Sequence, residues 1–213
     1  METKKLTILG FSEAALTMIF DIFESNENFP KVDIINNLKL TPSKKYHNKN
    51  FSIEEFFEIN KNKSSFLLGG VKPNTKEKIR NSYPNIKDSD FINIFSKNSE
   101  ISSTTLLGNG IIVNTMSSIA GFSEIKNFVF INRNCSIGHH TIINEYTTLN
   151  PGANVAGNVI VGKNCQIGMG SNIIDGITIG NNVIIGAGSV VTKNIPDNVV
   201  AYGNPCKIIR ENV

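Results

Sequence analysis

The chain has 213 residues, of which 40% are hydrophobic and 18% charged, with no Trp and a net charge of +3; that leaves room for one domain or two small ones and excludes a large multidomain machine. Its basic residues are scattered rather than gathered into a block, so no nucleic-acid partner is expected, and no apolar run approaches the roughly 18 residues that span a bilayer, so no membrane partner is expected either. Three cysteines, Cys135, Cys165 and Cys206, form no CxxC pair and fit a reduced compartment without disulfides or a zinc knuckle.

At the start, Met1 leads into the charged Glu2, Lys4 and Lys5, which reads as no leader segment and predicts a cytoplasmic protein. A short apolar strand follows, Leu6 to Leu9, ending at Gly10. Ser12 can cap an amphipathic helix from Glu13 to Glu24. Val32 to Ile35 reads as a second strand and Phe66 to Gly70 as a third. Between them Ser52-Ile53-Glu54-Glu55 has the spacing of a capping box before an apolar helix, and Asn74-Thr75-Lys76-Glu77 repeats it for another. The alternation predicts a small parallel α/β sheet of Rossmann type over residues 1–90. Ligands of such sheets bind at the carboxyl ends of the strands, here Gly10 to Ser12, Asn36-Asn37 and Gly70. Gly10-Phe11-Ser12-Glu13-Ala14 is not the GxGxxG fingerprint of a dinucleotide fold. Two readings stay open for this part: a single nucleotide with its phosphate at one helix N-terminus, or a sheet that only packs and oligomerises.

Fourteen of the seventeen glycines follow residue 100, and the chain changes character there. From Ile101 in steps of six run Leu107, Val113, Ile119, Ile125, Ile131, Ile137, Ile143, Leu149, Val155, Val161, Ile167, Ile173, Ile179, Ile185 and Val191, so sixteen of sixteen positions are aliphatic. The residue after each is often Gly, Ala or Asn, and the fourth after it is mostly small or β-branched, as at Ser117, Cys135, Thr141, Thr147 and Cys165. A six-residue strand-and-turn unit predicts a parallel β-helix of about five coils over residues 91–195, stacked at about 4.8 Å, with 196–213 as a closing segment. Aliphatic ladders would fill it, which removes the need for aromatics. No insertion interrupts the period, so chemistry belongs on the outer faces, at subunit contacts or on the N-terminal domain. Only three histidines exist, His47, His139 and His140. A metal cage needs three converging imidazoles, and an adjacent pair with a distant third does not supply them, so no metal is expected. On spacing alone His139 is open between a solvated corner histidine and a site residue. Cys135 and Cys165 read as core fillers, Glu124 and Glu145 as solvated corners.

The run Val190-Val191-Thr192-Lys193-Asn194-Ile195-Pro196 followed by Gly203-Asn204-Pro205-Cys206-Lys207 resembles the closing motif of hexapeptide-repeat acyltransferases. Within them, Ile131-Asn132, His139, Asn150-Pro151-Gly152-Ala153 and the stretch Ala156 to Gly162 resemble the sialic acid O-acetyltransferase group. That group includes N-acetyltransferases of nucleotide-linked 4-amino-4,6-dideoxy sugars. The resemblance covers essentially the whole chain and implies a Rossmann-like nucleotide-sugar domain joined to a left-handed β-helix. It implies acetyl-CoA as co-substrate and a homotrimer with active sites between neighbouring prisms. By the same resemblance His139 is the catalytic base, Asn132 an active-site asparagine, and Gly157 N–H a donor to the thioester carbonyl. Thr148 stands where the group often has a second histidine that contacts acetyl-CoA. Met169 and Ala187 lie on the pantetheine path, and Lys193 and Lys207 are placed for the CoA phosphates. Two departures stand out: His140 occupies the place of the usual Asp or Glu after the base, and Glu13-Ala14 replace the Gly-His of the nucleotide loop.

These features imply direct attack of a substrate amine on acetyl-CoA, with His139 taking the proton. An amine ionising near about 8 is partly neutral at pH 7, whereas a hydroxyl is not. A base without its acidic partner therefore suits N-transfer better, which favours a 4-amino sugar on dTDP or UDP over the rival O-acetylation of sialic acid or another sugar. The reading from a different class is a non-catalytic β-helical scaffold. The wealth of Asn, Lys and Ile associates with AT-rich genes and so with O-antigen, lipopolysaccharide or glycoprotein glycan synthesis.

Overall fold

Every six residues the chain lays down a two-residue rung and turns a corner, from Ile94-Phe95 to Val190-Val191. The computed structural model describes residues 5–27, 30–36, 51–54 and 64–213. Rungs 18 residues apart pair in parallel, Glu124 with Ile142 and Phe130 with Thr148 for example. Three hexads therefore close one coil, and three flat sheets form a left-handed β-helical prism. The second residue of each rung points inward. From Val113 to Val191 every one is buried, and this aliphatic column is the prism's core.

The corners are four-residue turns whose third residue has positive φ, at Gly110, Met116, Phe122, Phe128, Asn134, His140, Tyr146, Gly152 and so on to Gly188. That is type II geometry, in which the third position favours Gly or Asn. The small residues two places earlier answer a different need. At Gly168 a Cβ would stand 2.5 Å from the backbone of Gly186 and Ala187 in the next coil. The fourth corner residue explains the run of small polar side chains: Ser117 Oγ donates to Asn132 O at 2.6 Å, Thr141 Oγ1 to Ala156 O at 2.9 Å and Thr147 Oγ1 to Gly162 O at 2.7 Å. Each satisfies a buried corner carbonyl one coil on.

The sheets hold five, six and eight strands, so the expected count of about five coils is short of the longest sheet. That sheet, called here the docked face, has outward residues Ile94, Ile112, Phe130, Thr148, Gln166 and Ile184. It is longer because the closing segment joins it: Val199–Gly203 pairs in parallel with Ile184-Ile185 and then folds back, antiparallel, as Cys206–Glu211. In chain order a second face carries Glu100, Ser118, Ser136, Asn154, Asn172 and Val190, and a third carries Leu106, Glu124, Ile142, Ile160 and Thr178.

Upstream, β1 (Lys5–Leu9), α1 (Glu13–Ser25), β2 (Val32–Ile35), β3 (Phe51–Glu54), β4 (Ser64–Leu68) and α2 (Pro73–Asn81) build a parallel sheet in the order β3-β2-β1-β4. The helix expected to open at Ser52 is instead an edge strand, with Ser52 and Glu54 alternating about Ile53 and β2 offering an open edge for pairing. Residues 55–63 lie outside the described residues. α2 forms, but from Pro73 at its first position, so Asn74 lies inside the helix rather than capping it. Met18, Ile19 and Ile22 of α1 share one apolar cluster with Ile94, Ile112 and Phe130 of the docked face. Phe66 and Ile79 share another with Phe91 and Phe128. No helix among the described residues is long and apolar enough to cross a membrane.

Candidate active site

The corner between the second and third faces stacks His139, Gly157 and Asp175 at intervals of 18 residues, with Lys193 in its last turn. A Cβ built on Gly157 would lie 2.8 Å from His139 Cε1, 2.9 Å from His139 Nε2 and 3.0 Å from Asp175 Oδ1. An imidazole from the coil below and a carboxylate from the coil above therefore close on one glycine. The backbone N–H groups on either side are used in the coil, Ala156 to Ile173 O at 3.0 Å and Asn158 to His139 O at 2.9 Å, while that of Gly157 stays out of the backbone ladder. The corner thus sets a ring nitrogen and an uncommitted N–H side by side.

His139 and His140 are the second and third residues of one corner turn. Their Nδ1 atoms are 3.0 Å apart, with the rings near perpendicular at 85°. His140 takes the positive φ, 57°, and its ring stacks on Phe122 of the coil below at 5.2 Å. Asp175 Oδ1 accepts from Asn158 Nδ2 at 3.3 Å.

A second concavity lies where the N-terminal sheet meets the docked face. It measures about 390 Å³ and is lined by Phe11, Ser12, Ala14, Val71, Lys72 and Thr75 from one side and Thr148, Asn150 and Gln166 from the other. The N-termini of α1 and α2 both open on it. Neither cap residue, Ser12 nor Lys72, makes a side-chain capping bond. Two sets of N-terminal N–H groups and the Lys72 ammonium make it a place for an anion. A neighbouring cavity of about 300 Å³ shares Lys72, Thr75 and Gln166 and continues to Asn164, Asn182 and Asn212.

The sequence-predicted residues fall into three groups. His139 and Gly157 meet, as described. Ser12 lines the larger cavity, with Gly10 and Gly70 at the strand ends beside it. Gly10 has φ 92°, a region that suits glycine. The tightest approach there belongs to the unpredicted Gly69, whose Cβ would overlap the Gly10 carbonyl. Asn36 is buried at the end of β2, where its N–H donates to Glu54 O at 2.8 Å, and Asn37 and His47 lie outside the described residues. Thr148 is buried and its hydroxyl donates to Val71 O at 2.6 Å, so it faces the larger cavity and not the His139 corner. Asn132 is buried one corner away, between the docked and second faces, and its Oδ1 accepts from Arg133 N at 2.9 Å. Met169 and Ala187 stack on that same corner, exposed, and Lys193 and Lys207 are exposed.

Sequence reasoning missed Asp175 and Lys72. Asp175 was legible as His139 plus two coils, whereas Lys72 has no spacing signal. Glu145, expected as a solvated corner, is part-buried beside Lys163, Oε2 to Nζ 3.4 Å. Burial pushes the Cys135 and Cys165 thiols up to about 11. They are core fillers and not nucleophiles.

A family model described as "Bacterial transferase hexapeptide (six repeats)" matches residues 158–193. The matched stretch lies wholly within the prism. No curated protein matches the chain. Among solved structures, the acetyltransferase domain of PglB from Neisseria gonorrhoeae FA1090, in complex with acetyl coenzyme A, is similar with TM-score 0.85 and 18% identity over 97% of this chain and 100% of that one. PerB from Caulobacter crescentus, in complex with CoA and GDP-perosamine, has TM-score 0.81 and 22% identity over 97% of each chain. WeeI from Acinetobacter baumannii AYE has TM-score 0.78 and 20% identity, over 97% and 100%. The hexapeptide prism and its attached N-terminal sheet thus share the fold of these proteins.

Proposed function

We propose that the protein is an acetyl-CoA-dependent N-acetyltransferase acting on the 4-amino group of a nucleotide-linked 4-amino-4,6-dideoxyhexose, in the cytoplasmic synthesis of a surface polysaccharide or glycan. The observation that carries the reading is the His139–Gly157 pair, an exposed imidazole set against a buried glycine whose N–H has no backbone partner among the described residues. The amine nitrogen attacks the thioester carbon while its proton passes to His139 Nε2. Gly157 N–H hydrogen-bonds the oxyanion as the N–C bond forms. The C–S bond then breaks, and the thiolate of CoA leaves and takes up the proton. Similarity to folds whose complexes hold acetyl-CoA, CoA and GDP-perosamine supports the substrate classes.

The N-terminal sheet acts in this reading as a Rossmann-like nucleotide-sugar domain, with the diphosphate at the two helix N-termini beside Lys72 and the base near Gly10, Asn36 and Gly70. Asn132, Met169 and Ala187 stand on one corner and His139 with Gly157 on the next, so a single prism does not bring them together. A homotrimer of parallel prisms would, setting one protomer's pantetheine path and sugar cavity against its neighbour's His139, with Lys193 and Lys207 toward the CoA phosphates.

Release of free CoA, measured with dTDP-, UDP- and GDP-linked 4-amino-4,6-dideoxyhexoses, free sialic acid and serine, tests this. Turnover on a nucleotide amino sugar is the expected result and names the nucleotide. Turnover on sialic acid alone would overturn N-transfer. In the active assay His139→Ala should lower kcat by about 100-fold or more, since a positioned base contributes about 10²- to 10⁴-fold; full activity in that variant would remove His139 from the mechanism.

A further inference from the structure

We infer that His140 is the positioning residue for the base: it accepts a hydrogen bond from His139 Nδ1–H and so holds His139 in the tautomer whose Nε2 is bare. The inference rests on the reading of His139 as base, and it starts from the 3.0 Å between the two Nδ1 atoms. A hydrogen bond between two imidazole nitrogens holds one proton, so one ring donates and the other must be a neutral acceptor. If His140 donated, His139 would carry its proton on Nε2 and could not take another there. If His139 donates, Nε2 presents its lone pair beside Gly157, where the reaction needs it.

His140 is built to hold that place. It occupies the positive-φ corner position that Phe122 fills in the coil below and Asn158 and Gly176 in the coils above. Its ring is clamped by stacking on Phe122, 25° from parallel. When His139 gains the substrate's proton at Nε2, the bond to His140 becomes charge-assisted and spreads the charge over two rings. On the same corner two coils above His139 stands Asp175, which accepts from Asn158.

Two variants and one spectrum test this. His140→Gly removes the acceptor while suiting the positive φ; kcat should fall about 10- to 100-fold with the KM for acetyl-CoA unchanged. His140→Asn returns an acceptor oxygen at nearly the Nδ1 position and also suits positive φ; it should recover most of the loss. Nitrogen-15 NMR of the substrate-free protein should show His139 as the Nδ1–H tautomer in the unaltered protein and in His140→Asn, and a mixture in His140→Gly. Unchanged kcat in His140→Gly, no rescue in His140→Asn, or an Nε2–H tautomer of His139 would each overturn the inference. Absence of transfer to every acceptor would defeat the proposed function while leaving the tautomer to be read directly.

Discussion

Gly157 shows how one missing methyl group shapes the site. Its φ is ordinary, so alanine meets no backbone penalty there, yet a Cβ would enter within 2.9 Å of His139 Nε2. The ring is the end of a side chain and can swing aside, so the fold survives while the base moves. Gly157→Ala retains the backbone N–H, which isolates the effect on the base. A misplacement of about 1 Å can cost about 100-fold in rate, so kcat should drop between about 10- and 100-fold. Thermal unfolding should shift by no more than a degree or two. A variant with full kcat would mean that His139 does not act from the position it holds beside Gly157, and a large loss of stability would mean that the glycine serves packing alone.

At the level of the rung and corner, the hydroxyl ladder is a sequence feature with a measurable energy. Thr147 Oγ1 donates to Gly162 O at 2.7 Å and receives Cys165 N at 3.0 Å, both in the interior. Thr147→Val keeps the shape and removes both functions, leaving a buried carbonyl and a buried N–H without that partner. Each such group costs about 1–3 kcal/mol, so urea unfolding should show a loss of at least about 1 kcal/mol, with no change in the KM for acetyl-CoA. A neutral result would mean that the ladder is incidental to the small size of the position.

This ladder also marks what the sequence could say about itself. The period of six predicted the rung positions and the inward column, because a hexad has one inward residue and its chemistry is aliphatic. The small residues beside that column were visible as small, but their cause, stacking against the next coil, was not. The positive-φ position escaped notice because Met116, Phe122, Phe128, His140 and Tyr146 occupy it in the first coils. Two of them, Phe128 and Tyr146, stack on each other at 5.2 Å where the N-terminal unit docks. At Ser52 the local signal for a helix start lost to an available strand edge. His139 and Gly157 were picked out through the family resemblance, and the 18-residue stacking brings them together on one corner; the cavity at Lys72 was not legible, since its walls come from units joined only by folding.

The junction of those units depends on one buried ammonium. Lys76 on α2 is almost wholly buried and donates from Nζ to Phe128 O at 2.9 Å and Thr147 O at 3.1 Å, tying the helix to two corners of the prism. No carboxylate meets it among the described residues, and burial pulls its ionisation well below the ordinary lysine value of 10.5. The unfolded chain, with lysine at its ordinary value, therefore holds this proton more readily than the folded one. Between the lowered folded value and about 10.4 the unfolded state binds more protons, so this group's contribution to stability rises with pH, by at most about 1.4 kcal/mol per pH unit. Lys76→Met keeps the length of the side chain and removes the titration, with loss of the bonds to Phe128 O and Thr147 O. Unfolding free energies of the two proteins, measured from about pH 6 to about pH 9, should therefore diverge, with the unaltered protein gaining on the variant as pH rises. The thiols of Cys135, Cys165 and Cys206 and the phenols of Tyr83 and Tyr146, raised by burial, titrate alike in both proteins and cancel in the difference. Parallel curves would show that the carbonyl oxygens hold the ammonium in its charged form through folding, and that Lys76 acts as a charged strut between the two units.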